Sequence, residues 1–171
     1  HYLSHFDELT GLPNRFQMKE FLQGKLSELT VSEQALAIIM LDLDMFKPVN
    51  DLYGHPAGDE VLNEVSGRLR RCVDNSGLVA RLGGDEFTIL LPDIVSRESV
   101  EKLCRCIIAD VNRPFIVQEN EIFIGVSLGI ALAPDDASNV TDLLRFSDIA
   151  LYGAKNSGRN NWLFYQRDMG E

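Results

Sequence analysis

Two adjacent carboxylates directly follow a pair of glycines in the middle of the chain, where residues 83–86 read Gly-Gly-Asp-Glu. Apolar segments at residues 78–80 and 87–91 flank this run and are typical of β-strands. A Gly-Gly pair between two strands predicts a tight hairpin turn with both glycines at its centre, at positive φ. A hairpin needs no carboxylates, whereas glycines let a ligand approach the backbone and paired acids can hold a divalent metal. The run therefore indicates a metal-dependent site for an anionic ligand, in outline a nucleotide.

A second candidate metal ligand follows the apolar run at residues 35–41, which is typical of a central strand covered on both faces. Asp42 and Asp44 come directly after it, and alternation puts both on one face if the strand continues. Asp44 has an alternative interpretation as the N-cap of a short helix over residues 46–51, whereas Asp42 has none. Asp42 and Asp85 would then supply oxygen ligands to one Mg²⁺ or Mn²⁺, and two such ions could clamp a triphosphate.

A polar cluster at residues 50–59 offers groups that can recognise a purine. Asn50 and Asp59 carry amide and carboxylate groups, and a carboxylate suits the N1–H and N2–H₂ donors of guanine. Taken by itself, the passage favours a Gly-Pro turn that leads into a long helix from Pro56, with Asp59 favourable in its first turn. His55, a single histidine before a proline, is by the same argument more often structural than catalytic.

The charge balance sets a requirement for any anionic substrate. The 171-residue chain has 26 acidic and 16 Lys and Arg residues, a net charge of −10, which argues against nucleic acid as a partner. A polyphosphate would need a divalent cation and a few well-placed cations. Lys155 and Arg159 near a predicted helix end, together with Lys47, are candidates, although cations at a helix C-terminus also favour the helix dipole.

The remaining composition is that of one globular domain with a sizeable core. The longest apolar run is too short to cross a bilayer, so we expect a cytoplasmic domain without direct membrane contact. Cys72, Cys104 and Cys106 are odd in number and lack the spacing of a zinc site, which favours buried or half-buried thiols in a reducing compartment. Because the chain starts at His1, we expect a module of a longer protein, which can carry membrane segments outside this domain.

The periodicity predicts an α/β (α+β) fold with a mixed central sheet, flanking helices and an extra β-hairpin. An antiparallel hairpin among the helices excludes a purely parallel dinucleotide-binding arrangement. Residues 166–171 are polar and predict a linker. The predicted helices cover residues 14–29, 46–51, 56–72, 96–112 and 140–155. The predicted strands are 35–41, the hairpin 78–91, a second hairpin formed by 115–117 and 122–133 with its turn at Glu119-Asn120, and 162–165.

Five segments, in this order and spacing, resemble the GGDEF family over about residues 7–165. They are residues 7–15 (Asp-Glu-Leu-Thr-Gly-Leu-Pro-Asn-Arg), 42–59, 83–87 (Gly-Gly-Asp-Glu-Phe), 127–131 (Ser-Leu-Gly-Ile-Ala) and 148–160. The resemblance implies a fold related to the class III nucleotide cyclases and the polymerase palm, with a ferredoxin-like core. It also implies a diguanylate cyclase, which condenses two GTP into cyclic di-GMP with release of pyrophosphate.

The resemblance also implies a role for each matching residue. Metal binding falls to Asp42, the Leu43 carbonyl, Asp85 and Glu86. Catalysis falls to Asp85, as base for the ribose 3′-OH, and to Lys47, which stabilises charge in the transition state. Substrate binding falls to Gly83, Gly84, Asn50, His55, Asp59, Lys155 and Arg159, of which Asn50 and Asp59 contact guanine and Lys155 and Arg159 hold phosphate.

Joining two GTP molecules in line requires two domains face to face, so the implied active species is a homodimer, which can be transient. The family's Arg-x-x-Asp product-inhibition site would fall on Asp74 and Gly77, and it is therefore absent. The competing hypothesis is a non-cyclising GTP-binding module that regulates a fused phosphodiesterase domain of the EAL type or another partner. Turnover of GTP separates the two.

Overall fold

The computed structural model describes residues 4–29 and 34–169, which form a mixed sheet with helices on both faces. The elements, in chain order, are α1 (Arg15–Leu29), β1 (Ala35–Asp44), α2 (Lys47–Tyr53), α3 (His55–Val73), a 3₁₀ turn (Asp74–Ser76), β2 (Leu78–Gly83), β3 (Glu86–Ile94), α4 (Arg97–Val111), β4 (Phe115–Val117), β5 (Asn120–Ile122), β6 (Gly125–Ala133), α5 (Val140–Asn156) and β7 (Trp162–Phe164).

Strand β1 lies at the centre of a five-stranded sheet with the order β2-β3-β1-β6-β7. It pairs antiparallel with both β3 and β6, while β7 runs parallel to β6. The path β1-α3-β2-β3-α4-β6 has the βαββαβ order of a ferredoxin-like core. The predicted mixed sheet with flanking helices and a ferredoxin-like core is therefore confirmed.

Successive residues of β1 face two different helix layers, since side chains alternate along a strand. Ile39 and Leu41 belong to the larger apolar cluster, to which α3 and α4 contribute. Leu36 and Ile38 belong to a second cluster with residues of α1 and α5. Burial on both faces explains why this strand is apolar along most of its length. The same alternation puts Asp42 and Asp44 on the face of β1 that carries Leu36 and Ile38, and therefore on the side of α1 and α5.

Two predicted turns are wrong in detail. The two-residue turn of the first hairpin consists of Gly84 and Asp85, because a register shift between Arg81 and Gly83 moves the hairpin by one residue. The second predicted hairpin is a separate two-stranded sheet, in which β4 pairs with β5 around a turn at Gln118 and Glu119. Strand β5 ends at Ile122, and β6, after two irregular residues, pairs with β1 instead.

The helix boundaries follow local capping chemistry. The Ser96 side chain accepts a hydrogen bond from Ser99 N at the start of α4, and the Asn139 side chain accepts one from Asp142 N at the start of α5. Residues 166–169 of the predicted linker form an irregular segment and a turn, and residues 170–171 lie outside the described part. Within the described ranges, no helix combines the length and apolar character that a membrane crossing requires.

Helix α5 packs closely on β6 at Gly129, and this contact requires glycine. A Cβ there would lie 2.1 Å from Leu151 N and 2.3 Å from Ser147 O, both backbone atoms of α5. Any side chain at this position would push α5 away from the sheet, and α5 carries Lys155.

We expect Gly129→Ala to lower the free energy of unfolding by about 2 kcal/mol or more, because overpacking against a backbone cannot be relieved by a rotamer change. Gly24→Ala is the matched control, since nothing lies within 4 Å of a Cβ at that exposed helical position. The control should be neutral or stabilising by up to ~1 kcal/mol. Chemical denaturation measures both, and equal unfolding free energies for the two variants would contradict the expectation.

Candidate active site

The register of β1 brings the predicted metal-binding residues to one edge of the molecule. Asp42 lies opposite Glu86 in the β1–β3 pairing. Leu43 N donates a hydrogen bond of 3.3 Å to Asp85 O, which fastens the hairpin turn to the end of β1. The carboxylates of Asp42, Asp85 and Glu86 thus come from two segments more than forty residues apart in sequence.

Asp42 has one satisfied and one unsatisfied oxygen. Its Oδ2 accepts a charged hydrogen bond from Lys155 Nζ, in an ion pair that joins β1 to α5. Its Oδ1 is buried and has no hydrogen-bond partner among the described residues. A buried anionic oxygen without a partner is costly. A bound cation would remove that cost, so the residues fit a divalent metal with hard oxygen ligands.

The electrostatics of the cluster support the same conclusion. Burial, followed by the nearby charge of Asp42, raises the pKa of Asp85. Partial burial of the Glu86 carboxylate raises its pKa, and the charges of Asp42 and Asp148 add to this. Both shifts mean that burial and the neighbouring carboxylates disfavour the ionised forms in the absence of a cation.

Asp148, on α5, is a member of this cluster that the sequence reasoning missed as a site residue. Burial and the charge of Asp42 raise its pKa, while Arg15 and Lys155 act in the opposite direction. Asp148 precedes Lys155 by seven residues, two helical turns, so both project from one face of α5. That spacing is the signal in the sequence that could have identified it.

Asp44 is not a helix cap. It belongs to β1, and the N-cap position of α2 is Phe46, without a side-chain hydrogen bond. Asp44 is 3% exposed and accepts hydrogen bonds from Ser127 Oγ and Asn160 N, each of 2.9 Å. Arg159 Nη1 lies 3.5 Å from its Oδ1. Asp44 therefore anchors the loop that follows α5.

The hairpin turn is held by an ion pair from the start of the chain. Arg81 donates to Gly84 O through Nε (3.1 Å) and Nη2 (2.8 Å), and its Nη1 lies 2.9 Å from Asp7 Oδ1. Burial by itself raises the pKa of Asp7, but hydrogen bonds from Thr10 and the Arg81 guanidinium outweigh it and hold the pKa below its usual range. Asp7 and Arg81 therefore position the turn that contains Asp85.

The predicted substrate-binding residues of the second polar cluster lie on α2 and α3. Asn50 is half-buried, and its Oδ1 occupies the space beside Gly58, where a Cβ would lie 1.8 Å away. His55 and Asp59 are exposed and four residues apart, so they share one face in the first turns of α3. Lys47 is the exposed first residue of α2. Across the described ranges, no hydrogen bond or ion pair joins these residues to the carboxylate cluster.

Comparison with known proteins assigns the class. The family model described as "Diguanylate cyclase, GGDEF domain" matches residues 4–161, and the chain belongs to this family. It is 37% identical over 169 residues to the bifunctional diguanylate cyclase/cyclic di-GMP phosphodiesterase MucR of Pseudomonas aeruginosa, covering 98% of this chain and 24% of MucR. It is 34% identical over 169 residues to the cyclic di-GMP phosphodiesterase PdeR of Escherichia coli, covering 99% of this chain and 25% of PdeR.

A solved structure agrees with the fold. The GGDEF domain of TpbB (YfiN) from Pseudomonas aeruginosa superimposes with a TM-score of 0.92 at 36% identity, covering 95% of each chain. The chain spans about a quarter of the length of MucR and PdeR.

Removing the charge of Asp85, which burial and the nearby Asp42 disfavour, should stabilise the metal-free protein. A carboxyl whose folded pKa is raised destabilises the fold once the pH exceeds the unfolded pKa, about 3.9. We therefore expect Asp85→Asn to raise the thermal midpoint at pH 7 by an amount on the order of a few degrees, and the gain to vanish as the pH falls through the carboxyl range.

Asp142→Asn is the control, for which we expect a change in the thermal midpoint of the opposite sign. Hydrogen bonds from Asn139 and Arg145 lower the pKa of Asp142, so its loss should slightly lower the midpoint at pH 7. Thermal melts in metal-free buffer between about pH 3 and 7 test both variants. A lower midpoint for Asp85→Asn than for the unchanged chain at pH 7 would show that Asp85 is not in a repulsive environment.

Proposed function

We propose that the chain is the catalytic domain of a diguanylate cyclase, which condenses two GTP into cyclic di-GMP and releases pyrophosphate. The observation that carries this proposal is the carboxylate cluster of Asp42, Asp85 and Glu86, with its unpartnered buried oxygen, in a member of the GGDEF family. A chain that only needed a stable hairpin would gain nothing from these mutually repelling groups.

Asp42, the Leu43 carbonyl, Asp85 and Glu86 would hold the divalent cation, Mg²⁺ or Mn²⁺. Cyclases of this family use a divalent metal. When bound, the cation would neutralise the triphosphate, which a chain of net charge −10 otherwise repels. The ligands are all hard oxygens, and both metals accept these.

The basic side chains would bind the phosphates directly. Lys155 ion-pairs with Asp42 and Arg159 with Asp44, so both cations already lie at the carboxylate edge. Lys47, exposed at the start of α2, would stabilise the charge that develops during phosphoryl transfer. Asp85 would take the proton of the attacking 3′-OH, as a general base.

Guanine recognition would fall to Asn50 and Asp59, with His55 at the same end of α3. Gly83 and Gly84 would let the substrate lie against the backbone, since nothing lies within 4 Å of a Cβ at either position. Amide and carboxylate groups together match the O6 acceptor and the N1–H and N2–H₂ donors of guanine.

The reaction requires a second copy of the chain. Each domain presents one GTP, and the 3′-OH of one must attack the α-phosphate of the other in line, so two domains must face each other with two-fold symmetry. Because GTP is a cytoplasmic metabolite, we propose a cytoplasmic location for the domain. The matched relatives are about four times longer than the chain, which supports attachment to a sensor or a phosphodiesterase domain of the EAL type.

A second candidate function is a GTP-binding module that regulates a phosphodiesterase without making cyclic di-GMP. The similarity to PdeR, whose name describes a phosphodiesterase, favours this alternative. It predicts GTP binding without turnover.

We expect the chain, with GTP and Mg²⁺, to form cyclic di-GMP at a specific rate that rises with protein concentration, because the active species is a dimer. Asp85→Asn should lower the rate by about 100-fold or more, the usual contribution of a general base. Asp142→Asn, at the start of α5, is the control and should keep full activity. Chromatography of the nucleotides measures the product, and GTP binding without product at every concentration would refute the cyclase and support the regulatory module.

We further expect Gly58→Ala to weaken GTP binding by about 10-fold, because its Cβ displaces the Asn50 amide. Gly67→Ala, on the same helix, is the control, since its Cβ meets only the flexible Arg71 guanidinium at 3.4 Å. The loss should largely disappear in an Asn50→Ala background, because both changes remove the same contact. Calorimetry measures the affinities, and additive losses would show that Gly58 acts independently of Asn50.

A further inference from the structure

Three metal-ligating side chains converge between α3 and α4. Their ligand atoms, from Cys72 on α3 and from Cys106 and Asp110 on α4, all lie within 4.8 Å of one another. Cys72 Sγ lies 3.3 Å from Asp110 Oδ2 and 2.6 Å from Cys106 Sγ. Cys72 is half-buried and Cys104 buried, as predicted, whereas Cys106 is exposed.

The backbone that carries this cluster is held in place by Arg68. This buried guanidinium donates hydrogen bonds of 2.8 Å to the carbonyl oxygens of Asp110, Arg113 and Pro114. It also stacks 3.7 Å from the centre of the Phe115 ring. Arg68 therefore fixes the last turn of α4 against α3, and with it the position of Asp110 relative to Cys72.

Of the two spacings between ligand atoms, the sulfur–oxygen distance approaches that of a tetrahedral zinc site, whereas the sulfur–sulfur distance is shorter. Zn–S bonds of about 2.3 Å and Zn–O bonds of about 2.0 Å place S and O about 3.5 Å apart and two sulfurs about 3.8 Å apart. The Cys72–Asp110 distance of 3.3 Å is close to the first value. The two sulfurs, at 2.6 Å, overlap sterically as free thiols. Rotation of the exposed Cys106 side chain would relieve the overlap and move the two sulfurs apart, toward the distance of about 3.8 Å in a zinc site.

The charges around the cluster favour a cation. No ion pair in residues 4–29 and 34–169 includes Asp110. A metal ion would supply the missing charge and displace the thiol proton.

We propose that Cys72, Cys106 and Asp110 bind Zn²⁺, with solvent at the fourth position, and that this ion ties α3 to α4. Zinc accepts thiolate and carboxylate together, whereas Mg²⁺ requires the all-oxygen ligands of the carboxylate cluster on β1 and the β2–β3 hairpin. A disulfide accounts for the cluster less well. It makes no use of Asp110, whose Oδ2 lies 3.3 Å from Cys72 Sγ.

The test is a Zn²⁺ titration of the full chain against a chromophoric chelator. Excess Mg²⁺ fills the oxygen site, and a phosphine reductant keeps the thiols reduced. We expect one Zn²⁺ per chain and an increase in the thermal midpoint with Zn²⁺. Cys72→Ser and Cys106→Ser should weaken binding by about 100-fold or more, and Asp110→Asn by at least about 10-fold. Cys104→Ala, which removes the buried thiol of the same helix, is the control and should bind like the unchanged chain.

Co²⁺ provides a second readout, because a thiolate-to-cobalt charge-transfer band should appear in the unchanged chain and in Cys104→Ala and should be absent from Cys106→Ser. Since Cys106 is exposed, this variant should keep the fold. Zn²⁺ binding that is unaffected by Cys72→Ser and Cys106→Ser would overturn the proposal. So would the absence of Zn²⁺ binding by the reduced chain, or a Cys72–Cys106 disulfide that persists under the phosphine.

Discussion

The register of β1 is the constraint on which the rest of the structure depends. The strand is paired on both edges and covered on both faces, so its residues cannot slide. A slip by one residue would turn Asp42 and Asp44 toward the apolar layer that contains Leu41 and Leu43. The packing of the apolar residues in the first half of β1 therefore decides the face of the sheet on which the carboxylates of Asp42 and Asp44 lie.

The candidate site is electrostatically unfavourable by itself. Several carboxylates gather at one edge, and the pKa values of Asp85, Glu86 and Asp148 are raised because burial and the neighbouring carboxylates disfavour the charged forms. The fold tolerates this because Lys155 pairs with Asp42, and because Arg81 and Asp7 hold the turn from outside the cluster. Stability given up at such a position would be recovered on binding of the proposed cation, which is the usual compromise at functional sites.

Helix α3 connects two regions of different chemistry. Its first turns carry His55 and Asp59, proposed to contact the substrate, and its last turn carries Cys72. At 1.5 Å per residue, Asp59 and Cys72 are about 20 Å apart along the helix axis. A zinc ion between α3 and α4 would therefore lie far from the nucleotide, and it would act on the stability of the helix layer rather than on the reaction.

The sequence by itself determined the elements, their order and the family, because apolar periodicity is local and the Gly-Gly-Asp-Glu-Phe segment and its companions are local motifs. It also predicted Asp42 and Asp85 as site residues, since each follows an apolar segment that is typical of a strand. Only the tertiary structure decided those features of the site that require segments distant in the sequence to come into contact. The register shift placed Asp85 inside the turn, and Ser127 and Asn160 made Asp44 an anchor instead of a cap. Packing of α5 on the sheet added Asp148, and packing of α4 on α3 brought together two cysteines whose spacing in the chain gave no metal signal.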